Sequence, residues 1–139
     1  MTTTTATEPV RVFAPSKAAK WTGWGLSVLA CLPFLPSAFF KLSRAPAAVE
    51  GFQKYHYPAS VVVPLGIVEV LCLVLYLIPQ TAVLGAILLT GYLGGAIATH
   101  VQASEPFFMP AVIGVALWLA LYLREPRLRV LAPILRRGV

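Results

Sequence analysis

The stretch TAVLGAILLTGYLGGAIATHV, residues 81–101, decides the fold. It holds no Asp, Glu, Lys or Arg over twenty-one positions. As a helix it spans ~30 Å, the thickness of a bilayer's hydrocarbon core. An open strand would leave its backbone unpaired in lipid, so the helix is the expected state. The stretch is also rich in glycine, at 85, 91, 94 and 95. In water each costs a helix about 1 kcal/mol relative to alanine. Between helices already in lipid, association comes from close packing, and small side chains permit it. Positions 82, 86, 90, 94 and 98 read Ala, Ala, Thr, Gly, Ala, one stripe of a helix, and Gly91 and Gly95 adjoin it. We expect this smooth face to pack against a neighbour, with the segment central in a bundle. A cavity wall for a flat ligand is the alternative use of the same face.

Outward from this segment the chain repeats the pattern. Apolar runs occupy about 22–40, 58–78 and 107–123, each near the ~20 residues that span a membrane. The 139 residues are 58% hydrophobic and 12% charged, with a mean hydropathy of +0.80. A soluble domain carries roughly 25% charged residues. The expected fold is all-α: an antiparallel four-helix transmembrane bundle over 21–130. A disordered polar and basic tail is expected over 1–20, and a basic tail over 131–139. The threonine-rich start has no early apolar core and does not read as a secretory signal. Pro79 and Gln80 leave only a tight turn between the second and third runs. APAAVEGFQKY, 45–55, suggests a short amphipathic helix at the membrane surface, with Pro46 in its first turn and Val49, Phe52 and Tyr55 toward lipid.

The formal charge of +6 does not indicate nucleic acid, because the basic residues lie in the ends and one loop, not along a solvated face. Arg11, Lys17, Lys20, Arg124, Arg127, Arg129, Arg136 and Arg137 belong to the tails. Lys41, Arg44 and Lys54 belong to the first long loop. Eight against three places both termini in the cytoplasm. Trp21, Trp24 and Tyr122 suit anchors at that face, and Tyr55 and Tyr57 at the other.

Glu69 lies midway along the second run, where a charged side chain costs roughly 2.5–3.5 kcal/mol on insertion scales and faces a bundle interior or cavity. Counting equal depths from the outer end of each run sets Tyr92, Cys31 and Trp118 in the layer of Glu69. Tyr92 is then its expected partner, Trp118 a wall, and Cys72 lies about one turn further in. Both cysteines read as small buried hydrophobes. Lys41 and His100 end the first and third runs, and with Tyr55, His56 and Tyr57 they are expected to rim an outward-facing pocket. Snorkelling to the interface is the simpler use of Lys41. Pro33 and Pro36 are expected to bend the first helix. No phosphate-binding, dinucleotide-binding, serine-hydrolase or zinc-protease motif occurs, and no covalent cofactor motif.

FFKL at 39–42, FQKYHYP at 52–58, GIVEV at 66–70, residues 81–101 and WLALYLREPRLRVLAPI at 118–134 resemble the DoxX-like family of small bacterial four-helix membrane proteins. The resemblance spans roughly 20–137 and implies a helical bundle in a bacterial cytoplasmic membrane. The family takes its name from a subunit associated with quinone-linked sulfur oxidation, and Lys41, Glu69 and His100 fall on its polar pattern.

Two functions follow as expectations. One is an enzyme, or the membrane subunit of one with a redox partner protein, acting on a lipid-soluble small molecule. Its chemistry would be quinone-linked redox, or acid-catalysed isomerisation or cyclisation. Glu69 would donate and accept the proton, Tyr92 would orient it, and His100 would act at the rim. Lys41, Tyr55, His56, Tyr57, Cys31 and Trp118 would bind the substrate. The other is a non-catalytic scaffold or homo-oligomer joined through the small-residue face of the third helix. A cavity reaching Glu69 separates the two.

Overall fold

The computed structural model describes residues 16–131. The tail residues 1–15 and 132–139 lie outside them. The first helix, α1, runs Lys17–Cys31, earlier than the expected boundary after residue 20. Ser16 is the reason: its Oγ accepts from the Ala19 amide at 3.2 Å and caps the first turn. Next come α2 Phe34–Leu42, α3 Pro46–Lys54, a single 3₁₀ turn Ala59–Val61, α4 Val62–Leu77, α5 Ala82–Gln102, α6 Phe108–Arg124 and α7 Pro126–Leu131. No strand occurs among the described residues.

Prolines set most of these boundaries. Pro33 has no amide hydrogen to continue α1, so the helix closes at Leu32 and restarts at Phe34. Pro46 and Pro126 open α3 and α7, where a missing N–H costs nothing. Pro79 follows the end of α4, and the Thr81 hydroxyl donates to the Leu75 carbonyl at 2.8 Å to close the turn.

Three stretches are long and apolar enough to cross a membrane: Lys17–Leu42, which joins α1 and α2, then Ala59–Leu77 and Ala82–Gln102. α6 is apolar but shorter, at 17 residues, or ~26 Å. α6 packs mainly on α1 and α5, and α4 on α5 and α2. The inner face of α4 is Val62, Gly66, Glu69, Leu73 and Tyr76, a helical spacing, and all five are buried.

Close approach occurs at different glycines from those expected. A Cβ on Gly85 would stand 2.5 Å from the Tyr76 Cα and nearer still to its amide nitrogen, so α5 and α4 touch backbone to backbone there. A Cβ on Gly23 would meet the Arg124 nitrogen at 2.8 Å, which lets α1 lie against α6. The 82/86/90/94/98 stripe packs only through Ala82 and Ala86; Thr90, Gly94 and Ala98 are exposed. Gly91, Gly94 and Gly95 have open space where a Cβ would be. The expected packing surface therefore stops halfway along α5, and its outer half borders empty volume.

Arg124, assigned from sequence to a basic tail, instead turns inward and is 6% exposed. Its guanidinium carbon lies 4.4 Å from the Trp24 ring centre and 4.5 Å from that of Tyr76, and Nη2 donates to the Tyr76 carbonyl. The Tyr76 hydroxyl donates to the Leu117 carbonyl at 2.8 Å. This cluster joins α1, α4 and α6 at one end of the bundle.

Candidate functional site

Gly66 begins the site. A Cβ there would stand 2.9 Å from the Cβ of Lys41 and 3.3 Å from Leu42, so only glycine lets α2 lie this close to α4. Lys41 is then beside α4 one turn from Glu69, and its side chain reaches back along the interface. Its ammonium donates to Glu69 Oε2 at 2.8 Å, to Ser37 Oγ at 2.5 Å and to Tyr92 Oη at 2.9 Å. Ser37 is one turn before Lys41 on the same face of α2. Phe34, whose ring centre is 6.5 Å from that of Tyr92, packs against the phenol. Glu69 is 1% exposed and the Lys41 side chain 13%.

These bonds account for the ammonium's donors: three N–H groups, three acceptors. Tyr92 accepts from Lys41, and its hydroxyl is also within hydrogen-bonding reach of the Glu69 carboxylate, the partner expected for it. Tyr92 also lines the neighbouring cavity, so its hydroxyl stands between the Lys41–Glu69 pair and that space.

This cavity, of about 680 Å³, opens beside the cluster. Lys41, Ser37, Tyr92 and Cys72 line its polar end, and Leu65, Val68, Leu88, Gly91, Gly95 and Ala96 its apolar middle. Glu69 does not line it; it lies behind Lys41 and Tyr92. Ala48, Gly51 and Phe52 of α3 cover another side, with Tyr55, Tyr57, Thr99 and His100 at the far end. His100 is eight residues from Tyr92 along α5, ~12 Å. Phe52 and Tyr55 thus line the cavity, a correction to their expected contact with lipid, whereas Val49 does not line it.

The far end is a second polar cluster. Glu105 accepts from Lys54 at 2.5 Å and from the Tyr55 hydroxyl, and His100 Nδ1 lies 3.5 Å from its Oε2. Hydrogen bonds from Lys54 and Tyr55 hold the Glu105 carboxyl below the usual carboxylate range. The same carboxylate raises Lys54 and Tyr55 above theirs. Tyr57 and Thr99 pair through their hydroxyls at 3.0 Å.

Residues 25–133 match the model of the DoxX-like family. The chain belongs to the DoxX-like family. No curated protein and no solved structure matches it. With its apolar helices, family membership makes it a membrane protein.

In this DoxX-like protein the predicted site residues divide. Lys41, Tyr92, His100, Tyr55 and Tyr57 all line one cavity, and Glu69 is bonded to the first. Lys41 points to Glu69 rather than outward, because the end of α2 lies against Gly66. Three expected members are elsewhere. His56 is exposed, with φ of 63°, and turns from the cavity. Cys31 is buried in the core cluster instead. Trp118 lies on another face of α5, where its indole donates to Thr90 at 2.8 Å beside a second, apolar groove of about 860 Å³. Equal-depth counting failed for Cys31, which ends α1 inside the core cluster, and for Trp118 because depth does not fix which face a helix presents. Ser37, Gly66 and Glu105 were not singled out from the sequence. Ser37 and Lys41, four apart on one helix face, carried a readable signal.

Proposed function

We propose that this DoxX-like protein binds a lipid-soluble small molecule in the cavity between α2, α3, α4 and α5, with the molecule's carbonyl-type oxygen at Tyr92. The observation that carries the reading is the Lys41 ammonium, whose donors are spent on Ser37, Glu69 and Tyr92, at one end of a cavity with an apolar middle. In this reading the phenol hydrogen turns from the Glu69 carboxylate to the ligand oxygen, while Lys41 stabilises negative charge that develops on Tyr92 Oη. Glu69 balances the ammonium, so its part is to position Lys41. A quinone is one molecule of this class. Acid-catalysed isomerisation or cyclisation of an apolar substrate would use the same proton, given by Tyr92 to the substrate and taken back by the Tyr92 phenolate when the substrate cation loses a proton, with Lys41 stabilising the phenolate in between. His100, Tyr55 and Tyr57 would contact the ligand's outer end.

The setting belongs to the proposal. Four antiparallel spans, α1 with α2, α4, α5 and α6, would cross a bacterial cytoplasmic membrane with both termini inside. Setting aside the inward-turned Arg124 and Lys41 leaves the charge asymmetry standing. A redox partner protein or a second copy would meet the exposed outer surface. The scaffold reading through the small-residue stripe is weaker, since half of that stripe borders the cavities.

Filling the cavity tests the reading. Gly91→Leu has free space for its side chain. Native mass spectrometry of protein purified from membranes should show a bound apolar molecule on the wild type and none on Gly91→Leu, with equal thermal stability. The same bound mass on both would defeat the proposal.

A further inference from the structure

α3 is held unlike the spans around it. It covers one side of the cavity with Ala48, Gly51 and Phe52, yet none of its residues is buried. The backbone is left-handed on both sides of it, at Arg44 (φ 52°) and His56 (φ 63°). Neither is glycine, and a side chain with a Cβ is disfavoured in that region. The remaining non-glycine residue of this kind among those described is Ser104 (φ 56°), next to Glu105. Disfavoured backbone is thus confined to the two ends of α3 and to the loop that meets it.

Glu105 makes the bond across. One carboxylate oxygen takes Lys54, the last residue of α3, and the other takes Tyr55, its C-terminal cap. The ring of Tyr55 in turn packs edge-on against His100 of α5, 5.9 Å between centres. One acidic side chain from the α5–α6 connection thus holds the C-terminal end of α3 over the cavity's outer side.

We infer that α3 is a lid on the cavity, hinged at Arg44 and His56 and latched to the α5–α6 loop through Glu105. The left-handed positions at its two ends are where its backbone would turn. Opening the lid breaks the bonds of Glu105 to Lys54 and Tyr55 and the ring contact of Tyr55 with His100, and leaves the bonds of Lys41, Glu69 and Tyr92 intact. A molecule too wide for the closed mouth would pass beneath the raised helix.

The test uses the full chain in detergent and needs no ligand, so its outcome is separate from the binding proposal. Hydrogen exchange is followed for α3, α4 and α5 in the wild type and in Glu105→Ala. Maleimide labelling of the Ala48→Cys variant is measured with and without Glu105→Ala. We expect α3 exchange and labelling at position 48 to rise about three- to fivefold in Glu105→Ala, the scale of an exposed ion pair, with α4 and α5 unchanged. Unchanged α3 exchange and labelling would overturn the inference. So would a matching rise in α4 and α5, since Glu105 would then be a general structural bond and not a latch.

Discussion

Replacing Lys41 by methionine keeps most of the side chain's length and apolar stem but removes the ammonium. Glu69, 1% exposed, then loses its 2.8 Å partner, and Ser37 and Tyr92 each lose a donor. Removing one member of a buried ion pair costs about 3–5 kcal/mol, because the other is left buried and unpaired. Lys41 lines the cavity and keeps 13% exposure, so the lower end of about 3 kcal/mol applies. Glu69→Leu should cost a similar amount by stranding the ammonium. The double variant Lys41→Met/Glu69→Leu strands neither charge. It should lie within about 1–2 kcal/mol of wild type, because apolar replacement of a whole buried pair is often near neutral. Equilibrium unfolding in mixed micelles, with the four proteins as a double-mutant cycle, reads the coupling directly. Single costs below about 1 kcal/mol that simply add would refute the pairing.

Other outcomes follow from the same geometry. Gly85→Ala should lower stability by at least about 1–3 kcal/mol, because its methyl meets the backbone of Tyr76, whereas Gly94→Leu should be nearly silent; thermal melts of the two variants check the contrast. Cys72 lines the cavity and Cys31 does not, so a bound ligand should slow modification of Cys72 by a small apolar maleimide and leave Cys31 unchanged, read by peptide mass spectrometry. Glu105 is held below the usual carboxylate range by its bonds from Lys54 and Tyr55, with His100 as the other titratable neighbour. A lowered pKa means that the carboxylate's contribution is present at neutral pH and is lost as pH falls through that lowered value. Exchange in α3 should therefore stay slow through mild acid and rise only below the usual carboxylate range, and Glu105→Ala should abolish that dependence.

The helices were legible because lipid permits few alternatives: an apolar run of about twenty residues has to satisfy its own backbone. Proline positions gave the break in the first run and the start of α3. Tyr92 was found by depth, since α4 and α5 are joined by a short turn and share a register. Lys41 lines the cavity as expected, but its pairing with Glu69 was not legible, because depth counted along separate runs does not show which ends meet. In the fold α2 ends against Gly66, and α3 lines the cavity beside it. The glycines of residues 81–101 were misread for a related reason. Small residues allow close packing but do not cause it, and a glycine beside a cavity is indistinguishable in sequence from one beside a helix. Gly85 packs and Gly94 does not because Tyr76 is opposite only the first. Arg124 counted as a topological charge until Trp24 and Tyr76 supplied aromatic faces on both sides of it. Glu105 had no sequence signal beyond being the single carboxylate in a short loop.

The most direct measurement is a binding titration of a short-tailed quinone against the wild type and Tyr92→Phe in lipid nanodiscs, followed by intrinsic fluorescence. The change removes one hydroxyl and leaves the ring that packs on Phe34. We expect saturable binding to the wild type and an affinity roughly tenfold lower in Tyr92→Phe, the worth of one hydrogen bond at the upper end of its usual range. Equal affinity for both proteins would contradict the assignment of Tyr92 as the donor that meets the ligand.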